Sequence, residues 1–439
     1  MPKKKYKKGH SKLLNAWAFY DWANSVYPLT ITSAIFPIFY SSLFLDEIRT
    51  VKAFGIVFND TSLITLLTSF TFIIIAFISP LLSGIADYMG NKKRFMQFFC
   101  YFGAAGCIGL YWFSLDKIHL SLLFYFMGLL GFWGSLVFYN SFLPDIAFPN
   151  QQDAISAKGF SLGYTGSVIL LVFNVIMLMR PDWFGLVGEN AQIDAMRIAF
   201  LTVGIWWIIF SQYPFRVLPK GNKNKGILSK DIFWKGFKEL HSVWKELDDN
   251  KRLKSFLRAF FVYSMAVQTI MFVAVYFGEK EINWGSTSAK FTGLVLSILL
   301  IQIVAIIGAN LTSKLSEKKG NIPVLIGINS IWMLLCFYGY FVESPIQFYF
   351  TAGAVGLVMG GVQSLSRSTY SKFLPETQDT TSYFSFYDVT EKIGIVIGMG
   401  IFGLIDLKFD SMRNAIVFLF VFFLIGIYLL FRVKKYIPK

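Results

Sequence analysis

The stretch LSGIADYMGNKKR, residues 82–94, separates two long apolar runs of the chain. In this stretch Asp87 precedes Gly90 by three residues, and Gly90 permits a tight turn that a residue with a Cβ would resist. The Asp87 carboxylate can face the positive N-terminal end of a neighbouring helix. The stretch ends in a basic cluster of Lys92, Lys93 and Arg94. The pattern predicts a charged connection between two membrane helices, and the alternative is a loop that is basic only because it lies in the cytoplasm.

The composition of the whole chain also indicates a membrane protein. Hydrophobic residues make up 55% of the 439 residues, charged residues make up only 15%, and the mean hydropathy is +0.55. These values are displaced from those of soluble globular proteins. A membrane-spanning helix takes about 20 residues, so about twelve such helices leave only short connections. The sequence therefore predicts an all-α integral membrane protein without a large soluble domain.

Apolar runs bounded by charged residues, Gly or Pro predict the membrane spans, numbered span 1 to span 12. They cover residues 15–44, 61–83, 95–114, 118–143, 157–179, 197–215, 255–278, 290–312, 322–342, 345–370, 382–405 and 412–432. Six runs precede one long polar loop and six follow it. We therefore expect an N-terminal six-helix bundle over residues 1–215, a central loop over 216–254 and a C-terminal six-helix bundle over 255–439.

The central loop contains the amphipathic stretch DIFWKGFKELHSVWKEL, residues 231–247. A helix with this pattern can lie along the membrane surface. A plain basic linker is the alternative interpretation.

Lysine and arginine are distributed unequally between the two sides that the spans define. The side with both termini and the central loop has 31 of the 41 basic residues, the other side has nine, and Lys392 lies inside span 11. Cytoplasmic loops of membrane proteins are enriched in basic residues. We therefore expect both termini in the cytoplasm, a location in the cell (inner) membrane, and attraction to anionic membrane lipids rather than to nucleic acid.

Two segments of the chain repeat one pattern. NSFLPDIAFPNQQDAISAKGF, residues 140–160, and SKFLPETQDTTSYFSF, residues 371–386, both contain Phe-Leu-Pro and an acid, followed by Gln-Asp, Ser and Phe. The second part of the pattern recurs at an offset of 226 residues, as Gln152, Asp153, Ser156 and Phe160 and as Gln378, Asp379, Ser382 and Phe386. The equivalent positions in the two halves indicate a duplication, with two bundles related by a pseudo-twofold axis along the membrane normal.

Residues 82–94 resemble the signature loop of the major facilitator superfamily, with Ser83 where that loop has its first Gly. The pieces WAFYDWANSVY (17–27), YNSFLPDIA (139–147) and GGVQSLSRSTYSKFLPE (360–376) resemble a narrower branch of that superfamily. This branch includes the vacuolar amino-acid effluxers linked to autophagy and their bacterial relatives. The resemblance covers essentially the whole chain and implies a major-facilitator-type fold of twelve transmembrane helices in two six-helix bundles.

From this resemblance we expect a secondary active transporter or a facilitator that moves a small solute by alternating access. The eukaryotic members of the branch imply amino-acid efflux. We expect a monomer, H⁺ or Na⁺ as the coupling ion, and spans 1, 4, 7 and 10 around the cavity. Asp87, Gly90 and the basic cluster would form a cytoplasmic latch in the outward-open state, in which the basic residues meet acids such as Asp145.

Polar residues inside the spans are the candidates for the substrate cavity, because an ionisable group in the membrane is costly. Asp21, Asn24 and Tyr27 are spaced by three residues and form a polar stripe along span 1. Pro28 and Pro37 follow, where missing backbone donors can bend the helix and free a carbonyl for the solute. For Asp21 the alternative is a charge near the headgroups at a helix N-terminus. The other cavity candidates are Asn140, Gln268 and Gln363.

Span 11 carries three charged residues, Asp388, Glu391 and Lys392. Asp388 and Lys392 are four residues apart and can neutralise one another on a helix. We therefore expect Glu391 to have no dedicated counter-charge and to carry a coupling proton, with Asp21 as the second candidate. If Arg367, near the inner end of span 10, pairs with Glu391 instead, it holds that acid ionised. An ion-pair network that gates the cytoplasmic side is the alternative role of these residues.

Other functions are less well supported by the sequence. His10, His119 and His241 lie in predicted tails or loops, and the three cysteines show no CxxC spacing, so we expect no metal and no cofactor. No GxxxxGK[ST] motif is present, which argues against a primary pump. A membrane-embedded enzyme would need a catalytic motif such as HExxH, and a sensor or scaffold would need a sizeable extramembrane domain. These remain the alternative functions.

Overall fold

The computed structural model describes residues 6–44, 49–221, 232–409 and 411–436 of the chain. The N-terminal half contains α1 (Ser11–Asn24), α2 (Phe36–Ser42), α3 (Asp60–Met89), α4 (Lys92–Gly109), α5 (Ile118–Ile146), α6 (Pro149–Met179) and α7 (Ala191–Val217). A connecting helix follows, α8 (Ile232–Asp249). The C-terminal half contains α9 (Lys251–Glu281), α10 (Thr287–Lys319), α11 (Asn321–Gly339), α12 (Pro345–Phe373), α13 (Thr380–Phe409) and α14 (Met412–Lys434).

Ten helices of the described residues are long and apolar enough to cross a membrane. Two of the predicted spans are not among these ten helices. Span 1 is divided into shorter helical pieces, and span 11, which is α13, carries charged residues near its middle. Both are nevertheless helical, so the structure has the predicted all-α architecture with twelve spans.

Span 1 is interrupted by a π-helix, Tyr27–Ile35, between α1 and α2. Pro28 lies in the first turn of this segment and has no backbone N–H, which disturbs the α-helical hydrogen bonds there. The carbonyl oxygen of Pro28 accepts a hydrogen bond from Thr32 Oγ1 at 2.6 Å. The disturbance predicted at Pro28 therefore takes the form of a π-helix.

The charged stretch of residues 82–94 is mostly helical rather than a loop. The helix α3 continues to Met89, Gly90 ends it with φ 62°, and α4 begins at Lys92. The left-handed φ is one that glycine adopts without a steric penalty. The predicted turn at Gly90 is confirmed, but the connection is far shorter than expected.

A small β-hairpin that the sequence reading did not predict lies between α2 and α3. Its strands are β1 (Thr50–Ala53) and β2 (Ile56–Asn59), paired antiparallel. Both turn residues have positive φ, 52° at Phe54 and 81° at Gly55. The backbone N–H of Phe54 donates to Nε2 of His119 at 3.1 Å, which attaches the turn to the start of α5.

The connecting helix α8 packs on both halves of the chain. Gly236 lies against Gly84 of α3 so closely that a Cβ at Gly84 would collide with the backbone of Gly236. Val243 belongs to the apolar core of the C-terminal half, and the Glu246 carboxylate accepts a hydrogen bond from the Tyr383 hydroxyl at 2.9 Å. The amphipathic stretch is therefore a helix and not a plain linker over residues 232–247, while residue 231 lies outside the described residues.

The buried apolar side chains form two large clusters. Among the described residues, one runs from Leu13 to Leu218 along the chain and also includes Ile298 of the C-terminal half. The other runs from Val243 to Val433 and also includes Tyr164 of the N-terminal half. Each half thus has its own core, and the contacts between the halves are rich in polar groups.

Candidate functional site

Asp21 in α1 and Arg367 in α12 form an ion pair that joins the two halves. Both terminal nitrogens of Arg367 lie 3.2 Å from Oδ2 of Asp21. Asp21 is 4% exposed and Arg367 is 3% exposed. Removing two charges from water costs several kcal/mol per ion, and their attraction offsets this cost only when the geometry is good and further hydrogen bonds are made.

The further hydrogen bonds come from α5 and α6 of the N-terminal half. Nε of Arg367 donates to the Ser156 hydroxyl at 2.9 Å, and Nη2 donates to the Ser156 carbonyl at 3.0 Å. Nη1 donates to Oδ1 of Asn140 at 3.3 Å, and the Tyr139 hydroxyl donates to Oδ2 of Asp21 at 2.8 Å. A guanidinium has five N–H groups. Arg367 makes two hydrogen bonds to Asp21, two to Ser156 and one to Asn140, so each of its N–H groups has an acceptor.

Three aromatic rings surround the Arg367 guanidinium. Its carbon Cζ lies 4.1 Å from the ring centroid of Phe160, 4.8 Å from that of Trp17 and 5.5 Å from that of Tyr139. Cations are attracted to ring faces at such distances. Gly159 makes room for the pair, because a Cβ there would collide with the Asp21 carboxylate. The N-terminal-half residues that hold Arg367, called the cage below, are Trp17, Asp21, Tyr139, Asn140, Ser156 and Phe160.

A second buried ionic cluster, the triad, consists of Asp388, Glu391 and Lys392 in α13. The Lys392 ammonium lies 2.8 Å from Asp388 Oδ1 and 2.9 Å from Glu391 Oε2. Gln268 of α9 donates to Glu391 Oε1 at 2.7 Å. Two carboxylates therefore share one ammonium, and the triad has one negative charge in excess when both acids are ionised.

The triad also faces the N-terminal half. The Lys392 ammonium lies 3.8 Å from the ring centroid of Trp133 in α5. Ser79 of α3 donates to Asp388 Oδ2 at 3.4 Å, which is a weak hydrogen bond. The charges of the triad thus lie within the C-terminal half, and the N-terminal half contributes a ring face and a hydroxyl group.

Asp87 and the basic cluster make the first end contact between the halves. Asp87 accepts hydrogen bonds from the backbone N–H groups of Thr381 at 3.3 Å and Ser382 at 2.6 Å, in the first turn of α13. Unsatisfied N–H groups and the helix dipole favour a carboxylate at this place. Lys92 lies 2.6 Å from Asp145 and donates to the Thr380 hydroxyl at 2.8 Å. The expected placement of Asp87 at a helix N-terminus and the expected contact with Asp145 are both confirmed.

The other two basic residues of the cluster lie apart from this contact. Lys93 is buried and donates to the carbonyl oxygen of Leu218 at 2.7 Å, so it holds the end of α7. Arg94 is exposed. The basic cluster is therefore divided, because Lys92 joins the two halves, Lys93 holds the end of α7 and Arg94 is exposed.

A second end contact lies at the start of α6, where Asp153 forms an ion pair with Lys372 of α12. Asp153 is 5% exposed and also accepts hydrogen bonds from Asn321 Nδ2 at 2.9 Å and from the Ser316 hydroxyl at 3.2 Å. All three partners belong to the C-terminal half. The sequence repeat contains Asp153, but the repeat was read as a sign of duplication and not as a site.

The other cavity candidates have different surroundings. Asn24 and Tyr27 are each 1% exposed, and the Tyr27 ring packs in the N-terminal core, 5.2 Å from the ring of Phe132. Gln363 accepts a hydrogen bond from the Tyr164 hydroxyl at 2.6 Å. Asn140 lies in the cage and Gln268 contacts the triad. A role for these residues in binding a solute stays a prediction.

Two expectations about the acids are wrong. Arg367 does not contact Glu391; it pairs with Asp21, more than three hundred residues away along the chain. Asp21 and Glu391 were expected to have no dedicated counter-charge, yet Asp21 pairs with Arg367 and Glu391 pairs with the adjacent Lys392. Asp21 and Arg367 could not be paired from the sequence because they lie on helices of different halves, and Lys392 pairs with both acids of α13 rather than with Asp388 alone.

Several functional groups were not predicted as site residues. The aromatic ones are Trp17, Trp133, Tyr139 and Phe160, and the polar ones are Ser156, Asp153 and Lys372. Trp17 and Tyr139 lie in the pieces that carry the family resemblance, and Asp153, Ser156 and Phe160 lie in the repeat. Among the described residues, no group of three or more His, Cys, Asp or Glu is placed to hold a metal ion.

Comparison with known proteins identifies the family. The sequence profile described as "Vacuole effluxer Atg22 like" matches residues 9–436. The chain is 30% identical to the MFS-type transporter YxiO of Bacillus subtilis over 431 residues, which cover 96% of this chain and 95% of that protein. It is 26% identical to Autophagy-related protein 22 of Eremothecium gossypii over 318 residues, which cover 64% of this chain and 59% of that protein.

Solved structures show the same fold. The chain matches FucP, a major facilitator superfamily transporter solved in the outward conformation, with a TM-score of 0.68 at 15% sequence identity. The match covers 96% of this chain and 98% of FucP. The chain is therefore a multi-pass membrane transporter with the major facilitator fold, and it belongs to the Atg22-like vacuole effluxer family.

Proposed function

We propose that the protein moves a small solute by alternating access of two six-helix bundles, residues 1–215 and 255–439, joined by residues 216–254. The observation that carries this proposal is the buried Asp21–Arg367 ion pair between the halves. An apolar contact of similar volume would hold the halves together at least as well, because burying charges costs their hydration. A charged contact suits surfaces that separate during function, since each charge regains water when they part.

The two end contacts support the same proposal. Asp87 meets the start of α13, and Asp153 meets the end of α12 and the start of α11, so both contacts join the halves at helix ends. While both contacts are made, a central solute would reach water only at the opposite end. Breaking both contacts would reverse the access, as expected for a rocking movement of two bundles around one site.

We propose that this closed end faces the cytoplasm and that both termini lie there, in the cell (inner) membrane. The distribution of lysine and arginine supports this orientation. The N-terminal segment lies at the same end, because the Gly9 N–H donates to the carbonyl of Ile146 at the end of α5. In this orientation the described conformation is closed toward the cytoplasm, and the two end contacts act as cytoplasmic latches.

For the solute we propose amino acids, which the resemblance to vacuolar effluxers implies, with H⁺ as the coupling ion and Na⁺ as the second candidate. The excess negative charge of the triad supports a coupled cation, because a proton on Glu391 would make the cluster neutral. The Glu391 side chain is 17% exposed and that of Asp388 is 7% exposed, so a proton reaches Glu391 more easily.

Uptake into proteoliposomes tests this function. The purified full chain would be reconstituted and supplied with a panel of radiolabelled amino acids, with and without an imposed pH gradient. We expect at least one solute to enter above the level of protein-free liposomes, to exchange against internal solute, and to accumulate when the gradient is present. Folded protein that gives neither uptake nor exchange for any solute of the panel would refute the proposal.

A further inference from the structure

We propose that the cage is a binding site for the guanidinium group of a solute, and that Arg367 occupies it as an internal substitute while the halves are closed. The inference rests on the proposed function, because the cage becomes vacant only if the halves separate. It goes further than that function in naming a site and the chemical group that the site accepts.

The cage belongs entirely to one half of the molecule. Its residues come from α1, α5 and α6, and three of them, Trp17, Asp21 and Tyr139, hold one another independently of Arg367. The Trp17 indole N–H donates to the Tyr139 carbonyl at 2.8 Å, and the Tyr139 hydroxyl donates to Asp21. The rings of Trp17 and Tyr139 stack with centroids 4.6 Å apart. When α12 moves away with the C-terminal half, the cage therefore stays assembled and only its cation leaves.

A vacant cage would be left with an uncompensated charge. Asp21 would retain one hydrogen bond from Tyr139 but lose its counter-ion, and an unpaired buried charge is strongly destabilising. The Ser156 carbonyl and the Asn140 Oδ1 atom would also lose their hydrogen bonds from Arg367. A carboxylate, a carbonyl and an amide oxygen then face the same space, and each of them accepts hydrogen bonds from a cation.

The geometry favours a guanidinium over an ammonium group. The acceptors of the cage use all five N–H groups of a planar fork, whereas an ammonium group offers only three donors. Phe160 and Trp17 present their rings to the cation at 4.1 and 4.8 Å, and a flat guanidinium stacks on such rings better than a compact ammonium. Arg367 itself shows that the cage fits this group.

A guanidinium group bound in the cage would also affect the transport cycle. A bound guanidinium and the Arg367 side chain compete for the same acceptors, so the solute must leave the cage before the ion pair can form again. Guanidinium compounds would therefore favour the state in which the halves are separated at the end contacts. Closure would in turn expel the guanidinium group from the cage.

Chemical rescue of Arg367→Ala tests the site, with methylguanidinium as the probe. The full chain would be purified in lipid nanodiscs, and its thermal unfolding midpoint would be measured against added methylguanidinium chloride, with equal sodium chloride and methylammonium chloride as references. We expect the variant to unfold several degrees below the wild type. Methylguanidinium should restore most of this loss with saturation, and methylammonium should restore less.

Two further variants make the rescue specific to the cage. Lys372→Ala removes the cation of the second end contact, where Asp153 keeps its bonds to Asn321 and Ser316, and methylguanidinium should not rescue it. The double variant Asp21→Asn with Arg367→Ala removes the charge of the cage and should also not be rescued. Equal rescue of all three variants, or no saturable rescue of Arg367→Ala, would overturn the proposal.

A measurement on the unmodified cage covers the case in which Arg367→Ala does not fold. Spin labels on the two halves at the end contacts would report their separation in the otherwise wild-type chain. Methylguanidinium should increase the separated population, while methylammonium and sodium at equal concentration should not; an unchanged distribution would overturn the proposal. Both readouts are independent of transport, so a chain that binds methylguanidinium and moves no amino acid would refute only the proposed function.

Discussion

Two ionic clusters in the described part of the chain, the Asp21–Arg367 pair and the triad, differ in composition. The Asp21–Arg367 pair is balanced in charge, takes one member from each half and satisfies every N–H of its guanidinium. The triad of α13 has one carboxylate too many and keeps all its charges within one half. The first cluster therefore depends on the relative position of the halves, and in the function proposed above the second depends on whether a coupling cation is bound. The comparison separates the residues expected to govern movement from those expected to govern coupling.

The largest effect should come from breaking the balanced cluster on one side only. Arg367→Met leaves the Asp21 carboxylate buried without a counter-ion, and we expect a loss of about 3–5 kcal/mol in the free energy of unfolding. Solute exchange should be lost as well. Chemical denaturation and counterflow measurements in proteoliposomes check the two expectations.

The double variant Asp21→Asn with Arg367→Met sharpens the first half of the comparison. Both charges are then absent, so the stability should return to within about 1 kcal/mol of the wild type, because a neutral replacement of a buried pair is often tolerated. Solute exchange should not return. A double variant as unstable as the single one would show that packing, and not charge, accounts for the loss.

The next largest effect concerns the triad. Glu391→Gln removes the excess negative charge and the site of the extra proton, and we expect it to abolish gradient-driven accumulation while exchange is kept. Exchange requires rocking but no net movement of protons. Flux assays with and without a pH gradient check this prediction.

Glu281 offers a matched control for Glu391. Its side chain is 15% exposed, compared with 17% for Glu391, and it forms an ion pair with Arg413 within the C-terminal half. Glu281→Gln should leave accumulation intact. Accumulation retained in Glu391→Gln would assign coupling to another group or to no ion at all.

A smaller effect is expected at the first end contact. Asp87→Asn weakens two backbone hydrogen bonds to a charged acceptor, and such bonds contribute about 1.5–3 kcal/mol each. We expect a folded protein with a larger cytoplasm-open population and transport that is lower by a few-fold. Spin-label distances across the contact check the population, and Arg94→Gln, a change at an exposed residue, serves as the control.

The smallest effect should be found at the second end contact. Lys372→Met removes one ion pair of Asp153, but the hydrogen bonds from Asn321 and Ser316 remain, and the Lys372 side chain is 22% exposed. We expect a change of about 1 kcal/mol or less in the same equilibrium. A shift as large as that of Asp87→Asn would show that the two ends of the closed face contribute equally.

The fold could be predicted from the sequence because its determinants are local. Hydropathy located the spans, the pair Asp388 and Lys392 followed from helical spacing, and Gly90 followed from the need for a turn. Residues 82–89 were predicted as part of a loop, but α3 continues through them to Met89. The polar last turns of this helix are stabilised by contacts such as the hydrogen bond from the Ser382 N–H to Asp87. The hairpin of residues 50–59 was missed because only its first strand, Thr50–Ala53, alternates polar and apolar residues, while the second, Ile56–Asn59, does not.

The site could be predicted only in part, because its contacts cross between the halves. Asp21 and Arg367 were both chosen as unusual charges in the membrane, but 346 residues separate them and no local rule joins them. Phe160 was noted only in the repeat and Trp17 only in a piece that carries the family resemblance, because their contact with a cation depends on Arg367 of α12. The sequence therefore showed which single residues were chemically unusual, but it did not show which residues they contact.

The position of α8 determines where the chain can be divided into two fragments. This helix contributes Val243 to the core of the C-terminal half, yet its Gly236 lies against Gly84 of the N-terminal half. If residues 1–221 and 232–439 were produced as two separate polypeptides, the second would carry its own adaptor for the first. Such fragments should assemble in the membrane more efficiently than a pair in which the second fragment begins at residue 251. The helix α8 would then direct the pairing of the two halves.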